Sequence, residues 1–485
     1  MGNPVRVRFA PSPTGYLHVG GLRTALFNYL FARHQGGKFV LRIEDTDQSR
    51  KVEGAVENLV ETLHWAGIHF DEGPGTDGAF GPYVQSERLA VYQERARQLV
   101  EEGNAYFCFC TPQRLDEVRR RQLAMKLSPS YDRHCRNLSA EEAAKRREAG
   151  EPSVIRMKMP NDGEMTFDDV IRSKVTIAYK VLDDQVILKS DGFPTYHLAV
   201  VVDDHLMQIS HVIRGEEWLP STPKHLVLYK YFGWQPPVYA HLPLLLNPDK
   251  TKLSKRQGDV AVDEYRSKGY LKEALVNFVA FLGWNPGDER ELFSLDQLIG
   301  EFSLERVGKS GAVFNIEKLN WMNAQHLRMK DDREVLVLLK EYLEQHPLNG
   351  NKEFADDYLL GVVSAMRERV VFVKDFVEKS PYFFKPPADF DPAVVKKRWK
   401  HETPQLLRDY MKALSSVENP FKKEDYELTL RRTVETVKKA PGELIHPLRL
   451  AVSGVGSGPG LYDILALLGR EETIRRINVA LEKLS

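Results

Sequence analysis

Apolar and polar positions change period along this chain, and the changes divide it. Near the start "VRVRF" and "KFVLRIED" are short and rich in β-branched residues, whereas "LRTALFNYLFARHQ" (Leu22 to Gln35) and "VEGAVENLVETLHWAGI" carry apolar residues at helical spacing. Strand, helix and strand with a glycine-rich first turn predict a βαβ unit of a parallel sheet. A different texture fills about 112 to 190, where the charged helical runs "LDEVRRRQLAMK" and "AEEAAKRREAG" precede "SVIRMKMP" and "KVTIAYKV", which alternate like antiparallel strands. The parallel pattern resumes with "YHLAVVVDDHL", "HVIRGEEWL" and a helix opened by "STPKHLVLYKYF", where Ser221 or Thr222 can cap and Pro223 fits the first turn. From about 325 onward strand signals nearly vanish, and "REVLVLLKEYLEQH", "YLLGVVSAMRERVVFVKDFVEK" and "LYDILALLGREETIRRINVALEKL" predict helix after helix.

These periods predict an α/β fold. A Rossmann-like parallel-sheet domain lies in two halves, 1–110 and 191–325, separated by an α+β insertion at 111–190 and followed by an all-α region at 326–485. Hydrophobic residues at 42% and charged residues at 28% are those of a globular protein, which excludes a disordered chain. No apolar run reaches the length of a membrane span and the first residues lack a secretory pattern, so the expectation is a cytoplasmic protein with no membrane partner. Lys+Arg and Asp+Glu both number 68, which excludes a diffuse basic field but not a local one. "RRRQLAMK" and "KRREAG" are runs that can meet phosphate, although most such helices are simply solvated.

The candidate chemistry begins at "RFAPSPTGYLHVGG", Arg8 to Gly21. A glycine- and proline-rich turn between strand and helix lets backbone N–H groups and the helix N-terminus face a phosphate, and His18 stands where an imidazole N–H can join them. An ordinary βα turn with a surface histidine is the plainer alternative. The stretch matches neither "GxxxxGK[ST]" nor "GxGxxG". In "NPDKTKLSKRQG" three cations, Lys252, Lys255 and Arg256, surround Ser254 in a loop flanked by Pro248 and Gly258, either a second phosphate contact or a solvated turn. All three cysteines, Cys108, Cys110 and Cys135, fall within 28 residues, a grouping that suits zinc as well as three reduced thiols without metal.

"HVGG" with "KLSKR" resembles the HIGH and KMSKS signatures of class I aminoacyl-tRNA synthetases. Together with "RIEDTD", "DEGP", "YVQSERLAVY", "LKSDGFPTYHLAVVVDDHLM", "VIRGEEWLPSTPKH" and "HPLRLAVSGVGSGPGLYDILALLG", the chain resembles bacterial glutamyl-tRNA synthetase over nearly its whole length. The resemblance implies a glutamate–tRNA ligase that activates glutamate with ATP and Mg²⁺ and passes it to the terminal adenosine of tRNA-Glu. Alternatives are an enzyme that also charges tRNA-Gln and a tRNA-independent nucleotidyltransferase.

The same resemblance implies roles for residues. Pro11, His18, Gly20, Gly21, Lys252, Ser254, Lys255 and Arg256 would hold ATP, with His18, Lys252 and Lys255 acting on the phosphates in the transition state. Gly21 stands where the class-wide signature has its second histidine, which is usual in glutamyl enzymes. Arg8, Ser12, Glu44, Tyr196, Arg214 and Trp218 would surround glutamate, Glu44 taking its ammonium and Arg8, Tyr196 and Arg214 its side-chain carboxylate. Val200 occupies a position that can be asparagine in relatives, which puts a polar contact there in doubt. Some relatives complete a zinc site with a histidine where this chain has Asn137, so Tyr131 or His134 would serve as fourth ligand to one structural Zn²⁺. The helical region would read the anticodon, with Arg367 and Arg369 as candidates, the enzyme would act as a monomer, and activation would require bound tRNA.

Overall fold

The computed structural model describes residues 4–76, 78–253, 261–348, 353–418 and 422–484. The chain divides into two compact units, Met1–Lys268 with Lys272–Lys318, and Gly269–Leu271 with Leu319–Ser485.

The first unit is built on parallel strands. β1 (Arg6–Phe9) leads into α1 (Val19–His34), which returns to β2 (Lys38–Leu41), and β1 and β2 pair in parallel. All four residues of β1 are buried, as expected of a strand covered on both faces. α1 has buried residues around most of its circumference, and Asn28 within it donates to the Ile213 carbonyl at 3.1 Å, fastening it to the sheet. α2 (Ala55–Trp65) and α3 (Leu89–Glu101) follow, then β3 (Ala105–Cys108).

The insertion comprises α4 (Pro112–Ala124), α5 (Ala140–Glu148), β4 (Val154–Met157), β5 (Glu164–Asp169), β6 (Ser173–Ala178) and β7 (Val186–Leu188). The two segments expected to alternate as strands do so, but in different sheets. "SVIRMKMP" supplies β4, which pairs antiparallel with β3 and β7, while "KVTIAYKV" supplies β6, hairpinned to β5. Its partner "EMTFDD" carries too many acids to read as a strand, because most of its polar side chains face water.

α6 (Tyr196–Leu206), β8 (His211–Gly215), α7 (Thr222–Tyr231) and β9 (Val238–Leu242) complete the sheet. The β-branched run of "YHLAVVVDDHL" is therefore helical: Leu198 to Asp204 are all buried, and packing on every side outweighs the modest helix propensity of valine. Val200 lies in this apolar cluster with Leu198 and Val201, not at a polar contact. β8 and β9 are parallel, and Ser210 joins them to β1, its N–H donating to the Arg6 carbonyl at 2.9 Å while its own carbonyl accepts from Val238 N. β5 reaches this sheet at its last residue, where Asp169 lies opposite Tyr239 of β9.

Pro223 fits the first turn of α7 as expected, yet neither Ser221 nor Thr222 caps it through a side chain. The Thr222 hydroxyl instead accepts from Arg214.

The second unit contains helices and, among its described residues, no strand. Amphipathic helices such as Asp332–Gln345, Thr403–Ser415, Lys423–Thr436 and Pro441–Ser453 bury Leu339, Leu407, Tyr410, Leu430 and Leu448. Leu461–Leu484 is broken at Gly469, which takes a φ of 77°. No helix among the described residues is long and apolar enough to cross a membrane.

Candidate active site

A cavity of about 870 Å³ opens where β1 and β8 end and α1 begins, the crevice at the carboxyl edge of a parallel sheet where ligands collect. Its lining includes Arg8, Pro11, Ser12, His18, Gly20, Gly21, Glu44, Tyr196, Arg214, Trp218 and Lys252, residues drawn from five separate stretches of sequence. Ser254, Lys255 and Arg256 lie outside the described residues. Both flanks of that segment are tied to the site: Leu253 N donates to Leu245 O at 2.9 Å on one side, and Val262 N donates to Leu17 O at 2.9 Å on the other. Ala261 bridges His18 directly.

His18 is the N-cap of α1, and its Nδ1 accepts from Gly21 N at 3.0 Å. A neutral ring accepting at Nδ1 carries its proton on Nε2, which makes that nitrogen a donor at the positive end of the helix. The two glycines serve this arrangement. A Cβ on Gly20 would lie 3.1 Å from the His18 ring and one on Gly21 2.7 Å from Leu17 Cδ1. They make room for the protein's own side chains under the loop, which is how His18 comes to face the cavity.

Deeper in, arginines and acids form a buried cluster. Arg8 pairs with Asp204 at 3.0 Å, and Arg42, fully buried, donates to Asp204 at 2.8 Å and to Glu44 at 2.9 Å. Asp203 receives Arg88 at 2.8 Å, Gln85 at 2.9 Å and the Tyr92 hydroxyl at 2.7 Å. Three cations, Arg8, Arg42 and Arg88, thus stand against three acids, Glu44, Asp203 and Asp204. Burial works to raise Asp204, but Arg8 and Arg42 outweigh it and hold the carboxyl below its ordinary range. Glu44 is lifted by burial against the pull of Arg42 and Arg8.

Arg214 stands apart from that balance. It is only 5% exposed, and its guanidinium donates to His241 Nε2 at 3.0 Å, Tyr196 Oη at 3.1 Å, Thr222 Oγ1 at 3.0 Å and His225 Nδ1 at 3.3 Å. Among the described residues no carboxylate pairs with it. Burial lowers both His225 and His241, so these partners are neutral near pH 7. Trp218 lies against the Tyr196 ring at 4.1 Å, closing one wall. The cavity therefore presents a buried cation with no carboxylate partner among the described residues, an acid at Glu44, and the N-terminus of a helix.

The cysteines gather elsewhere, under β3. The three Sγ atoms lie within 4.8 Å of one another, and the Tyr131 hydroxyl sits among them, 3.2 Å from Cys108 Sγ and 3.5 Å from Cys110 Sγ. His134 is exposed and outside this group. Asp184, bonded to Arg136 at 2.7 Å, pins the segment that carries Tyr131 and Cys135. Of the basic runs, Arg119, Arg120 and Arg121 are exposed, whereas Arg146 and Arg147 stack on Phe109 and Phe107 at 4.3 and 4.1 Å. In the helical unit Arg367 is tied to Asp332 and Arg369 is exposed.

Several cavity residues escape a motif search. Arg23 of α1 lines the wall, bonded to the carbonyls of Pro243 and Leu282, and burial, opposed by Glu217 and Glu216, pushes its pKa down to about 10. Arg42, Asp203 and Asp204 support Arg8, while Asp169, His225 and His241 surround Arg214. The two adjacent acids inside the apolar run "LAVVVDDHL" were a readable signal, since buried carboxylates need cations. The histidines carried none.

A model of the catalytic domain of class I tRNA synthetases (E and Q) matches residues 4–321, and a model of an anticodon binding domain matches 334–481. A glutamate–tRNA ligase from Chloroherpeton thalassium is 53% identical over 99% of this chain and 98% of its own length. One from Chlorobaculum parvum is 52% identical over 100% and 99%. The crystal structure of a glutamate tRNA ligase from Elizabethkingia meningosepticum, in complex with its amino acid, superposes with a TM-score of 0.95 at 42% identity and covers both chains fully.

The buried histidines set a pH dependence. His197, bonded to His225 at 3.0 Å, is pushed down to about 3 by burial, with Lys224 and Arg214 adding to it, and His225 and His241 are lowered too. Folded, they stay neutral; unfolded, they take protons near pH 6.5, so the stability they contribute is full above that value and is lost as pH falls below it. Urea unfolding of the N-terminal unit should lose about 1.4 kcal/mol per pH unit on account of His197 between pH 6 and 5. His197→Gln should flatten the slope by one such increment, and equal slopes in both proteins would count against this account.

Proposed function

The chain belongs to the glutamate–tRNA ligase family of class I tRNA synthetases, and from that premise we propose how its cavity performs the ligation. The enzyme is an ATP-dependent ligase that joins glutamate to tRNA. An α-carboxylate oxygen of glutamate attacks the α-phosphorus of ATP, pyrophosphate leaves, and a ribose hydroxyl of the tRNA's terminal adenosine then takes the glutamyl group as AMP departs. No covalent enzyme intermediate is needed, so the residues must orient reactants and stabilise charge.

One observation carries the glutamate assignment: Arg214 is buried with only neutral partners. A side-chain carboxylate supplies the missing counter-charge, flanked by Tyr196 and Trp218. Glutamine would leave the cation unpaired, a cost of about 2–5 kcal/mol that favours glutamate. Glu44 takes the ammonium, Ser12 lies at the rim, and Arg8, already held by Asp204, adds positive potential rather than a free charge. On the nucleotide side the α1 N-terminus, with Pro11, Gly20 and Gly21 in its loop, and the His18 Nε2–H meet phosphate. Lys252, Ser254, Lys255 and Arg256 follow the phosphates as charge builds on the leaving pyrophosphate. Mg²⁺ accompanies ATP as its phosphate counter-ion.

The exposed arginines of α4 and the helical unit support an assignment of 111–190 to the acceptor end of tRNA and of 326–485 to its anticodon, with Arg369 the freer candidate reader. The catalytic sheet would then run through 1–110 and 191–325. Reduced cysteines fit a cytoplasmic setting.

Cys108, Cys110, Cys135 and Tyr131 suit one zinc ion as a tetrahedral set, in which Tyr131 takes the part of the histidine that some relatives carry at the position of Asn137. The Arg156 guanidinium, 3.8 Å from the Tyr131 ring centroid, and Arg114, 3.4 Å from Cys110 Sγ, would balance the added negative charge of the ligands. Bound zinc would cross-link the segment at Cys135 to β3.

Charging assays with ATP, glutamate and purified tRNA-Glu or tRNA-Gln test the reading, and no charging of tRNA-Glu would overturn it. Charging of both tRNAs would identify a non-discriminating enzyme. With tRNA present, Lys255→Ala should slow glutamyl-adenylate formation by about 10²- to 10³-fold while tRNA affinity holds; undiminished activation removes Lys255 from the chemistry. Elemental analysis should find one zinc per chain, lost in Cys135→Ser, and reduced parent protein free of zinc would end that assignment.

A further inference from the structure

The ligation as described uses Arg214 but not the groups behind it. His241, fully buried on β9, accepts the Arg214 Nε–H at its Nε2, 3.0 Å away, and its Nδ1 lies 2.6 Å from Asp169 Oδ2. A carboxylate only accepts, so the proton is on Nδ1 and the Nε2 lone pair faces Arg214. Burial works to raise Asp169, but the bond from His241 and the Arg172 N–H hold it ionised below the usual carboxylate range. Asp169 is the residue at which β5 reaches β9, so the contact depends on how the insertion rejoins the sheet.

Two ways of holding a buried arginine stand side by side in this cavity. Arg8 and Arg42 bind Asp204 directly, and their charge is spent there. Arg214 is fixed as firmly, by four acceptors, yet none is anionic. Asp169 acts one residue removed, through an imidazole that passes on orientation but not a full negative charge.

We propose that Asp169 and His241 are positioning residues for glutamate selection: Asp169 locks His241 in the Nδ1–H tautomer, and His241 then anchors Arg214 without neutralising it, leaving its charge for the substrate's side-chain carboxylate. This rests on the reading that Arg214 takes that carboxylate. Asp169→Asn keeps the size of the side chain and an Oδ1 that can accept from the Ile171 and Arg172 N–H groups, now 3.0 and 2.8 Å away. It presents an N–H to His241 Nδ1, however, and so drives the ring proton to Nε2, where donor meets the donor of Arg214. His241→Gln needs no tautomer, since its amide oxygen accepts from Arg214 and its amide nitrogen donates to Asp169 Oδ2.

Steady-state activation with tRNA present, with glutamate, glutamine and ATP varied separately, tests this in the full chain. Asp169→Asn should raise KM for glutamate about 10- to 100-fold, the range seen when an orienting bond behind a ligating histidine is removed, with KM for ATP changed less than about twofold. Preference for glutamate over glutamine should fall in parallel. His241→Gln should stay within about fivefold of the parent, because its amide keeps an acceptor on Arg214 and a donor on Asp169, whereas Asp169→Asn should not. An unchanged KM for glutamate in Asp169→Asn, or a rise in its KM for ATP that matches the rise for glutamate, overturns the proposal. If Asp169→Asn fails to fold, His241→Glu carries the test: its carboxylate should neutralise Arg214 and abolish most of the preference for glutamate, and a retained preference overturns the proposal. Arg214→Gln, run alongside, separates the two levels. No effect of Arg214→Gln on glutamate KM removes the underlying reading of the pocket, whereas an effect there with none from Asp169→Asn removes only the role of Asp169 and His241.

Discussion

A guanidinium taken out of water must find a counter-charge or wait for one to be brought, because an unpaired buried charge costs several kcal/mol. Beside Arg23, which backbone carbonyls hold, the N-terminal unit buries Arg8, Arg42, Arg88 and Arg214 around one cavity and treats these four in two ways. Arg8, Arg42 and Arg88 are matched by Glu44, Asp203 and Asp204 within the fold. Arg214 is matched, among the described residues, by neutral acceptors, which is why an anionic ligand is proposed for it.

The strands deliver these groups to one place because they are parallel. β1 carries Arg8, and the extended chain beyond β2 carries Arg42 and Glu44. β8 carries Arg214, and α6, packed beside them, brings Asp203 and Asp204. With all the carboxyl ends on one edge, residues 8 and 214 line a single crevice together with the start of α1. His18 meets the same crevice through its cap on Gly21, so the start of α1 faces the cavity that Arg8 and Arg214 line.

Much of this was legible before any coordinates. The βα alternation, the helical last third, the glycine turn before α1 and the basic segment at 252–256 are local patterns, set by periodicity, backbone freedom and charge within a few residues. The helical state of "YHLAVVVDDHL" was not, because valine-rich runs fit either a buried strand or a buried helix and the decision rests on what covers them. The same holds for β5, whose acids disguise a strand that is paired on one side by β6 and touched on the other by β9. Tyr131 and His134 were equal candidates beside Cys135 in sequence. Only the fold turns the tyrosine hydroxyl into the thiol cluster and leaves the histidine exposed.

By itself, then, the sequence determined the kinds of elements, the residue types able to handle phosphate and carboxylate, and the family to which the chain belongs. It could not say which arginine is free to bind substrate. Arg8 and Arg214 look alike in sequence, each an arginine in a β-branched strand, and they differ because one lands against Asp204 and the other against His241 and His225. Whether a buried charge is compensated depends on neighbours far away in the chain. That information exists only once the sheet has closed and the dielectric around the pair has fallen.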